Sequence, residues 1–252
     1  MFSHAITRRP GPDLVQGLTT ADLGAPDWPR ALVQHAAYVT VLTELGVEVT
    51  ALPALPGHPD ACFVEDVAVV VPELAVMTRP GAPSRRGESA SVAAALAGQR
   101  ELATIEAPGT LDGGDVLVAG RTCWIGLSGR TNAASADQLA GLLGARGYDC
   151  RSVKVTGGLH LKSCVNAVGD RTLLVAEAMA VREEFADWER LTVPAAEAYA
   201  CNTLEVNGSL LVPAGYPATA VRLRELGRPL VLLDTSEFRK LDGGLTCLSL
   251  RY

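Results

Sequence analysis

The chain alternates between stretches with strand-like and helix-like spacing of apolar residues. Residues 2–9 alternate apolar and polar side chains, which predicts a strand. Between Trp28 and Leu45 the apolar residues recur at helical spacing and Gly46 follows, which predicts a helix and its end. Val47–Leu52 then predicts a second strand. Four later segments predict further helices: Ser84–Leu102, Asn132–Gly147, Ala178–Trp188 and Ala218–Gly227.

A pair of apolar strands joined by a short turn recurs along the chain. The four complete pairs are Val67–Val71 with Leu74–Thr78, Leu111–Val118 with Cys123–Leu127, Leu159–Val168 with Thr172–Ala176, and Thr203–Val206 with Ser209–Val212. A truncated fifth copy, Leu245–Tyr252, is expected to pair with residues 2–9 and so to close a ring. The copies begin near residues 63, 111, 160, 201 and 245, roughly 41–49 residues apart. Such a period is typical of arrays and propellers.

A helix follows most of these pairs, and segments such as Asp149–Val155 and Leu230–Leu233 supply a third strand. Each unit therefore has the order strand, strand, helix, strand. This pattern predicts an α/β fold in which residues 1–252 form one domain of five units around a pseudo-axis. An ordinary α/β fold with unrelated hairpins is the alternative that the pattern leaves open.

The repeat also predicts where functional side chains meet. Equivalent positions of five units around one axis point toward a common centre, so residues that are distant in sequence would share a pocket. These positions hold Asp66 or a neighbour, Asp112, His160, Cys201 or Asn202, and Cys247.

Composition excludes several classes of protein. The net charge of −6 gives no sign of a surface for nucleic acid or for an anionic membrane. No segment approaches the roughly 18 consecutive apolar residues of a membrane-spanning helix, and the N-terminal residues lack the pattern of a secretory signal. The six cysteines form no Cys-x-x-Cys motif and have no histidine at a metal-ligand spacing. We therefore expect a cytoplasmic protein with reduced thiols and no metal.

Three of the central residues form a plausible catalytic set. Cys247 follows the Gly243-Gly244 turn, and its thiol would be a nucleophile once deprotonated. His160 would act as general acid and base, and Asp112 would be the acidic residue that orients the site. The alternatives are a cysteine buried as a small apolar residue and a histidine satisfied within the core.

Charged residues near the predicted strands suggest the ligand. Acidic side chains near the starts of the predicted strands would form a negative pocket that suits a planar guanidinium. These side chains are Asp60, Glu65, Asp66, Asp112 and Asp115. Arg85 and Arg130 would bind a carboxylate. A ligand with a guanidinium at one end and a carboxylate at the other, such as an arginine derivative, would use both sets. Turn and capping roles are the alternative for the acidic residues.

Together these segments resemble the dimethylarginine dimethylaminohydrolases, which belong to the pentein superfamily of guanidine-modifying enzymes. The resemblance covers nearly the whole chain. Its landmarks are Phe63–Asp66, Thr78–Gly81, Ser84–Glu88, Leu111–Asp115, Gly129–Asn132, Leu159–Lys162, Pro213–Pro217 and Asp242–Cys247. It implies the pentein fold, a five-bladed α/β propeller of ββαβ repeats with pseudo-fivefold symmetry.

The resemblance also implies roles for individual residues. Cys247 matches the nucleophile, His160 the general acid and base, and Asp112 the acidic residue that contacts the guanidinium. The implied substrate-binding residues are Leu18, Asp60, Phe63, Glu65, Asp66, Arg85, Arg130 and Leu241. Among them, Arg85 and Arg130 match the clamp on the substrate carboxylate, and Asp60 matches the contact to the α-amino group.

The implied activity is hydrolysis of Nω-methylated arginines to citrulline and an amine through a covalent thiouronium intermediate. The implied enzyme needs no cofactor or metal, has a small-molecule partner only, and is a monomer or homodimer. Three alternatives remain open at this point: an arginine deiminase or a hydrolase of another substituted guanidine, a non-catalytic arginine-binding propeller, and a hydrolase that uses Ser163 or Ser249. Neither serine lies in a Gly-x-Ser-x-Gly motif.

Overall fold

A computed structural model describes residues 1–252. Its strands are β1 (His4–Arg8), β2 (Glu48–Leu52), β3 (Ala68–Val71), β4 (Leu74–Met77), β5 (Glu101–Thr104), β6 (Val116–Ala119), β7 (Thr122–Leu127), β8 (Asp149–Lys154), β9 (Val165–Gly169), β10 (Thr172–Ala176), β11 (Glu189–Val193), β12 (Leu204–Val206), β13 (Ser209–Pro213), β14 (Leu230–Leu233) and β15 (Ser249–Arg251). Its α-helices are α1 (Trp28–Glu44), α2 (Ser89–Leu96), α3 (Ala133–Gly144), α4 (Pro217–Arg224) and α5 (Ser236–Arg239).

The strands form five separate sheets of three strands each. In four sheets a hairpin pairs the first two strands antiparallel, and a crossover returns the chain to add the third strand parallel to the second. The fifth sheet joins the two ends of the chain in the order β15-β1-β2. Ala5 is opposite Arg251 and Thr7 is opposite Ser249 in its antiparallel pair. The predicted closure of the ring by the truncated fifth copy is thus confirmed.

The apolar core lies between neighbouring sheets rather than in one central layer. The largest cluster joins Trp124 of β7, Phe185 of the third unit and Leu210 of β13, all of which are fully buried. Trp124 packs edge-on against Trp188, with ring centroids 5.1 Å apart. Contacts between sheets therefore bury the apolar faces that each three-stranded sheet cannot bury alone.

The helix predicted over Ser84–Leu102 is shorter in the structure. Residues Pro83–Glu88 form a 3-10 helix, α2 occupies Ser89–Leu96, and Glu101–Thr104 is strand β5. Gly98, with a φ of +84°, separates α2 from β5. Glycine adopts this left-handed conformation at little steric cost, so the chain turns here and β5 pairs with β4.

The helix predicted over Ala178–Trp188 is wrong. Two 3-10 turns, Glu177–Met179 and Glu183–Phe185, occupy the segment instead, and the unpredicted strand β11 follows. Met179, Phe185 and Trp188 all lie in the core. An α-helix would place Met179 and Trp188 roughly 180° apart around its axis, so it could not bury both against one sheet.

A 3-10 turn precedes the first strand of each sheet at one end of the ring. These turns, rather than strands as predicted, carry or adjoin the central residues: Val64–Val67, Gly113–Asp115, Leu161–Ser163, Ala195–Cys201 and Thr246–Leu248. Contacts between these turns bring the five units together at the axis. Among the helices of the structure, none has both the length and the apolar character needed to cross a membrane.

Candidate active site

A small pocket gathers most of the residues predicted for the site. Its lining comprises Leu18, Asp60, Phe63, Asp66, Arg85, Arg130, Leu159, His160, Leu241, Asp242, Gly243 and Cys247. All of the predicted residues except Asp112 and Glu65 are therefore present in the lining, while Leu159, Asp242 and Gly243 were not predicted. The pocket measures about 20 Å³, which is less than an arginine-sized ligand requires.

Cys247 lies at the centre of the last 3-10 turn and is 8% exposed. Its backbone N–H donates to the Gly244 carbonyl at 3.1 Å. Burial raises the pKa of the thiol to about 12, and the nearby carboxylates of Glu65 and Asp66 act in the same direction. The thiol is therefore neutral near pH 7 until a cation enters the pocket.

His160 and Asp112 form a buried pair. His160 Nε2 lies 3.0 Å from Asp112 Oδ2, and Asp112 Oδ1 accepts a hydrogen bond from the Gly81 N–H at 2.8 Å. Burial alone would lower the pKa of His160, but the carboxylates of Asp66 and Asp112 outweigh burial and raise it to about 9. The imidazole is therefore protonated near neutral pH and can give a proton to a leaving group.

Asp66 is the second carboxylate beside His160. Its Oδ1 lies 3.9 Å from His160 Nδ1 and accepts a hydrogen bond from the Gly114 N–H at 3.0 Å. Burial opposes ionisation, but His160 and Arg85 together hold the pKa of Asp66 below its usual value. A side chain on Gly114 would lie 2.7 Å from His160 Nδ1 and 2.8 Å from Asp66 Oδ1, so only glycine permits this close approach.

Arg85 makes more hydrogen bonds within the protein than we expect of an arginine whose only role is to bind a substrate carboxylate. Its Nε and Nη2 donate to the Glu88 carboxylate at 3.1 and 2.8 Å, and its Nη1 pairs with Asp66 Oδ2. Nη2 also donates to the Phe63 carbonyl at 3.0 Å. One N–H of Nη1 is left for a ligand. Glu88 was not predicted, although a carboxylate three residues after Arg85 in a helical segment is a recognisable signal.

Arg130 has much more freedom than Arg85. Its side chain is 21% exposed, and its Nη1 lies 3.8 Å from Asp112 Oδ2. Its guanidinium therefore lines the pocket and has few partners in the protein, which would suit the predicted role of binding a carboxylate.

The pocket mouth is formed by Asp60 and the segment that follows the 3-10 turn Pro12–Gln16. Asp60 Oδ1 accepts the Leu18 N–H at 3.0 Å. Asp242 Oδ2 accepts hydrogen bonds from the Thr20 N–H at 2.5 Å and the Thr20 hydroxyl at 3.0 Å. These contacts hold the segment beside the pocket.

Glu65 is the one predicted binding residue that the structure places elsewhere. Its Oε1 pairs with Lys162 Nζ at 2.7 Å and with Arg251 Nη2 at 3.0 Å. All three side chains line a cavity of about 530 Å³, whereas the pocket contains Asp66 and Cys247. This larger cavity lies behind the catalytic residues, since Glu65 and Thr246 line it and are the sequence neighbours of Asp66 and Cys247.

For Asp115 the sequence allowed either a ligand-binding role or a turn role. In the structure this residue stabilises the site through buried hydrogen bonds. It is fully buried and accepts hydrogen bonds from Thr131 Oγ1 at 2.7 Å and from the Leu161 N–H at 2.9 Å. These bonds connect the turn of Asp112 to the turn of His160 and to the strand end that carries Arg130.

One cluster of acidic and histidine side chains with metal-like geometry lies beside this pocket. One ligand atom each from Asp66, Asp112 and His160 can be chosen within 4.8 Å of one another. However, Asp66 is already paired with Arg85, and His160 with Asp112. The neighbouring guanidinium disfavours an added cation. That the protein needs no metal stays a prediction.

Comparison with known proteins identifies the family. A family model described as N,N dimethylarginine dimethylhydrolase, eukaryotic, matches residues 28–208. The N(G),N(G)-dimethylarginine dimethylaminohydrolase of Pseudomonas aeruginosa is 41% identical over 256 residues, which span 100% of both chains. The chain belongs to the dimethylarginine dimethylaminohydrolase family.

A second dimethylarginine dimethylaminohydrolase and a solved structure of the Pseudomonas aeruginosa enzyme agree with this assignment. The Streptomyces coelicolor protein is 40% identical, with 98% of this chain and 96% of the relative covered. The solved structure of a cysteine-to-serine mutant of the Pseudomonas aeruginosa enzyme, complexed with citrulline, superposes with a TM-score of 0.98 at 40% identity over 100% of both chains. The fold is thus the five-bladed pentein propeller that the sequence resemblance implied.

Proposed function

We propose that the protein hydrolyses Nω-methylated arginines to citrulline, releasing dimethylamine from asymmetric dimethylarginine and methylamine from monomethylarginine. The observation that carries the proposal is a pocket lined by a buried thiol, a protonated imidazole and a carboxylate, with a second carboxylate paired to the imidazole from behind: Cys247, His160, Asp66 and Asp112. Enzymes of this name are about 40% identical to the chain over nearly its full length.

Substrate charge would activate the nucleophile. Burial and adjacent carboxylates keep Cys247 protonated in the free enzyme. A guanidinium bound by Asp66 and Asp112 would compensate those carboxylates and favour the thiolate beside it. The carboxylate end of the substrate would bind Arg130 and the remaining N–H of Arg85. Asp60 would bind the α-amino group, and the ring of Phe63 would line the pocket.

The reaction then proceeds in two stages. The Cys247 thiolate forms a bond to the central guanidinium carbon, and the C–N bond to the methylated nitrogen breaks as His160 gives that nitrogen a proton. The amine leaves a positively charged thiouronium attached to Cys247. His160 next accepts a proton from a water molecule as the water adds to the same carbon. The C–S bond then breaks with its electron pair on sulfur, the departing sulfur takes the hydroxyl proton of the adduct to restore the Cys247 thiol, and citrulline departs.

The proposal is tested by offering purified protein asymmetric dimethylarginine, monomethylarginine and arginine in parallel, with Cys247→Ser as the matched variant. We expect citrulline from the methylated substrates and none from the variant, which should still bind them in calorimetry. Citrulline mainly from arginine would identify a deiminase instead. Substantial turnover by Cys247→Ser would overturn the role of the thiol.

A cytoplasmic location and a monomeric or homodimeric state stay predictions. Native mass spectrometry over a range of protein concentrations would decide the oligomeric state.

A further inference from the structure

The fourth unit contributes a residue at the centre that the proposed reaction does not use. Asn202 lies directly after the 3-10 turn Ala195–Cys201, which is the fourth unit's turn at the axis. It is 4% exposed and does not line the pocket. A polar side chain buried at this position must satisfy its hydrogen bonds within the protein.

The Asn202 amide bonds the segment that presents Cys247. Its Oδ1 accepts the Thr246 N–H at 2.9 Å, and its Nδ2 donates to Thr246 Oγ1 at 3.2 Å. The orientation of the amide is determined by the Thr246 N–H, because a donor must face Oδ1 and not the NH₂ group. Nδ2 also lies 3.4 Å from the Lys162 carbonyl in the turn that follows His160. Asn202 thereby links the segments of Cys247 and His160.

This geometry sets the direction of the Thr246 hydroxyl. Because Thr246 Oγ1 accepts a hydrogen bond from Asn202 Nδ2, the hydroxyl's own proton is free to point elsewhere. Thr246 Oγ1 lies 3.8 Å from Cys247 Sγ, within hydrogen-bond reach of a sulfur atom. Thr246 and Cys247 are both buried, so no solvent competes strongly for this hydroxyl.

The approach of Asn202 is close enough to restrict the neighbouring turn. A side chain on Gly244 would lie 2.4 Å from both Cγ and Oδ1 of Asn202. Gly244 also accepts the N–H of Cys247. The Gly243-Gly244 pair before Cys247 therefore makes room for the amide as well as turning the chain.

From these contacts we propose that Asn202 is a positioning residue for the nucleophile, and that it directs the Thr246 hydroxyl as a hydrogen-bond donor to the Cys247 thiolate. The role rests on the proposed function of Cys247, yet it can be tested on the thiol itself. A hydroxyl donor stabilises a thiolate and so favours the reactive form when substrate enters.

The other charged groups near Cys247 act differently. Glu65 and Asp66 approach from the turn Val64–Val67 and oppose the thiolate. Their cationic partners in turn are Lys162 and Arg251 for Glu65, and Arg85 and His160 for Asp66. Two uncharged groups favour the thiolate, namely the backbone of Gly244 and the side chain of Thr246, and the Thr246 hydroxyl lies next to Cys247 in sequence.

The test measures alkylation of Cys247 by iodoacetamide as a function of pH, followed by peptide mass spectrometry so that the other five cysteines do not interfere. Thr246→Val removes the hydroxyl while keeping the shape of the side chain, and Thr246→Ser keeps the hydroxyl. We expect the valine variant to be alkylated roughly tenfold more slowly at a fixed pH of about 9, and this rate ratio is the measure of an upward shift of the alkylation midpoint by about one pH unit. The serine variant should behave as the wild type does.

Asn202→Asp tests the direction of the hydroxyl. The aspartate keeps the Oδ1 acceptor for the Thr246 N–H but offers a second acceptor where Nδ2 was a donor. The Thr246 proton would then turn toward the aspartate and away from sulfur. We expect an upward shift at least as large as that of Thr246→Val. The shift caused by Asn202→Ala should largely vanish in the Thr246→Val background, since both changes act on one donor.

Asn166→Ala is the matched control. Asn166 is equally buried, and its Nδ2 donates to the carbonyls of Lys162 and Cys201 at 2.7 Å each, but it has no contact with Thr246 or Cys247. We expect its loss to lower stability without moving the alkylation midpoint. The proposal is overturned if Thr246→Val leaves the midpoint unchanged, or if Asn166→Ala shifts it as far as Asn202→Ala does. Absence of citrulline from every substrate, with the midpoint shifts intact, would instead reject the proposed function alone.

Discussion

At the scale of single residues, the buried charges of the site alternate in sign. The series, in spatial order, is Glu88, Arg85, Asp66, His160, Asp112 and Arg130, with each member within 3.9 Å of the next. A buried charge without a partner is costly, whereas each member here faces an opposite charge on at least one side. The series therefore allows these six side chains to stay ionised around a pocket from which a bound substrate would exclude water.

The pKa of His160 predicts how stability depends on pH. Its pKa is raised from the ordinary 6.5 to about 9, so protonation of His160 stabilises the fold fully below about pH 6.5. That contribution, on the order of 3 kcal/mol, is lost as the pH rises through about 9. We expect the difference in free energy of unfolding between the wild type and His160→Gln to shrink over this window in urea titrations. A difference that stays constant from pH 6 to pH 10 would contradict the protonated imidazole.

The two arginines of the pocket should respond differently to substitution. Arg85→Gln leaves Glu88 buried without its cation and Asp66 with His160 alone, so we expect the free energy of unfolding to fall by about 3–5 kcal/mol. Arg130→Gln removes a partly exposed group, so we expect a stability change within about 0.5 kcal/mol. The Michaelis constant of the Arg130→Gln variant for a methylated arginine should rise at least about tenfold, because the proposed main partner of the substrate carboxylate is lost. Thermal unfolding and citrulline kinetics on both variants check this; equal losses of stability would contradict it.

At the scale of secondary structure, short 3-10 turns present the catalytic groups. A turn of three residues orders little chain, yet each one is braced by its neighbours, as Asp115 braces the turn of His160 through the Leu161 N–H. The strands behind the turns are regular and buried. Precise placement therefore comes from contacts between turns and not from the turns' own stability.

Gly114 shows how tightly these turns approach one another. Gly114→Ala would place a methyl group against His160 and Asp66, so we expect a destabilisation of about 1–3 kcal/mol and loss of most citrulline formation. Gly141→Ala is the control, because Gly141 is an exposed residue of α3 with open space around it. That change should stabilise the protein by about 0.5–1 kcal/mol. Full activity in Gly114→Ala would show that the turns can separate enough to fit a methyl group between Gly114, His160 and Asp66.

At the scale of the whole molecule, the ring is closed by hydrogen bonds between the chain ends. The N–H groups of Ser3 and His4 both donate to the Tyr252 carbonyl at 2.9 Å. The last strand therefore completes a sheet and also connects Cys247 to the first unit. Closure leaves no unit at an open end of the array.

Ring closure predicts that the chain tolerates circular permutation. Joining Tyr252 to Met1 by a short linker and opening the exposed turn between Asp170 and Arg171 preserves every sheet, because adjacent termini permit such rearrangement. We expect the permutant to unfold cooperatively and to retain citrulline formation. Deletion of residues 249–252 should abolish both, since it removes β15 and the Arg251 contact to the Thr246 carbonyl. An inactive permutant that still folds would show that closure needs the natural chain ends.

Much of this architecture could be predicted from sequence because it depends on local patterns. Apolar runs separated by turn residues indicated the strand pairs, and their period indicated the five units. The prediction failed where long-range packing overrode local pattern, as in residues 178–188, whose core residues do not lie on one helical face. The sequence also did not show that Glu65 lines the larger cavity and not the pocket, because no local signal indicates on which side of the axis a side chain will point.

The sequence by itself determined the number of repeats, the closure of the ring and the residue types that meet at its centre, since the period and the motifs are local properties of the chain. Only the tertiary structure decided how those residues pair. It directs Arg85 to Glu88 and Asp66, and it leaves the Arg130 side chain partly exposed with Asp112 as its nearest charged partner. It also places Asn202 against Thr246. The reason is that side-chain direction and pKa depend on atoms that are brought close only when all five units have assembled.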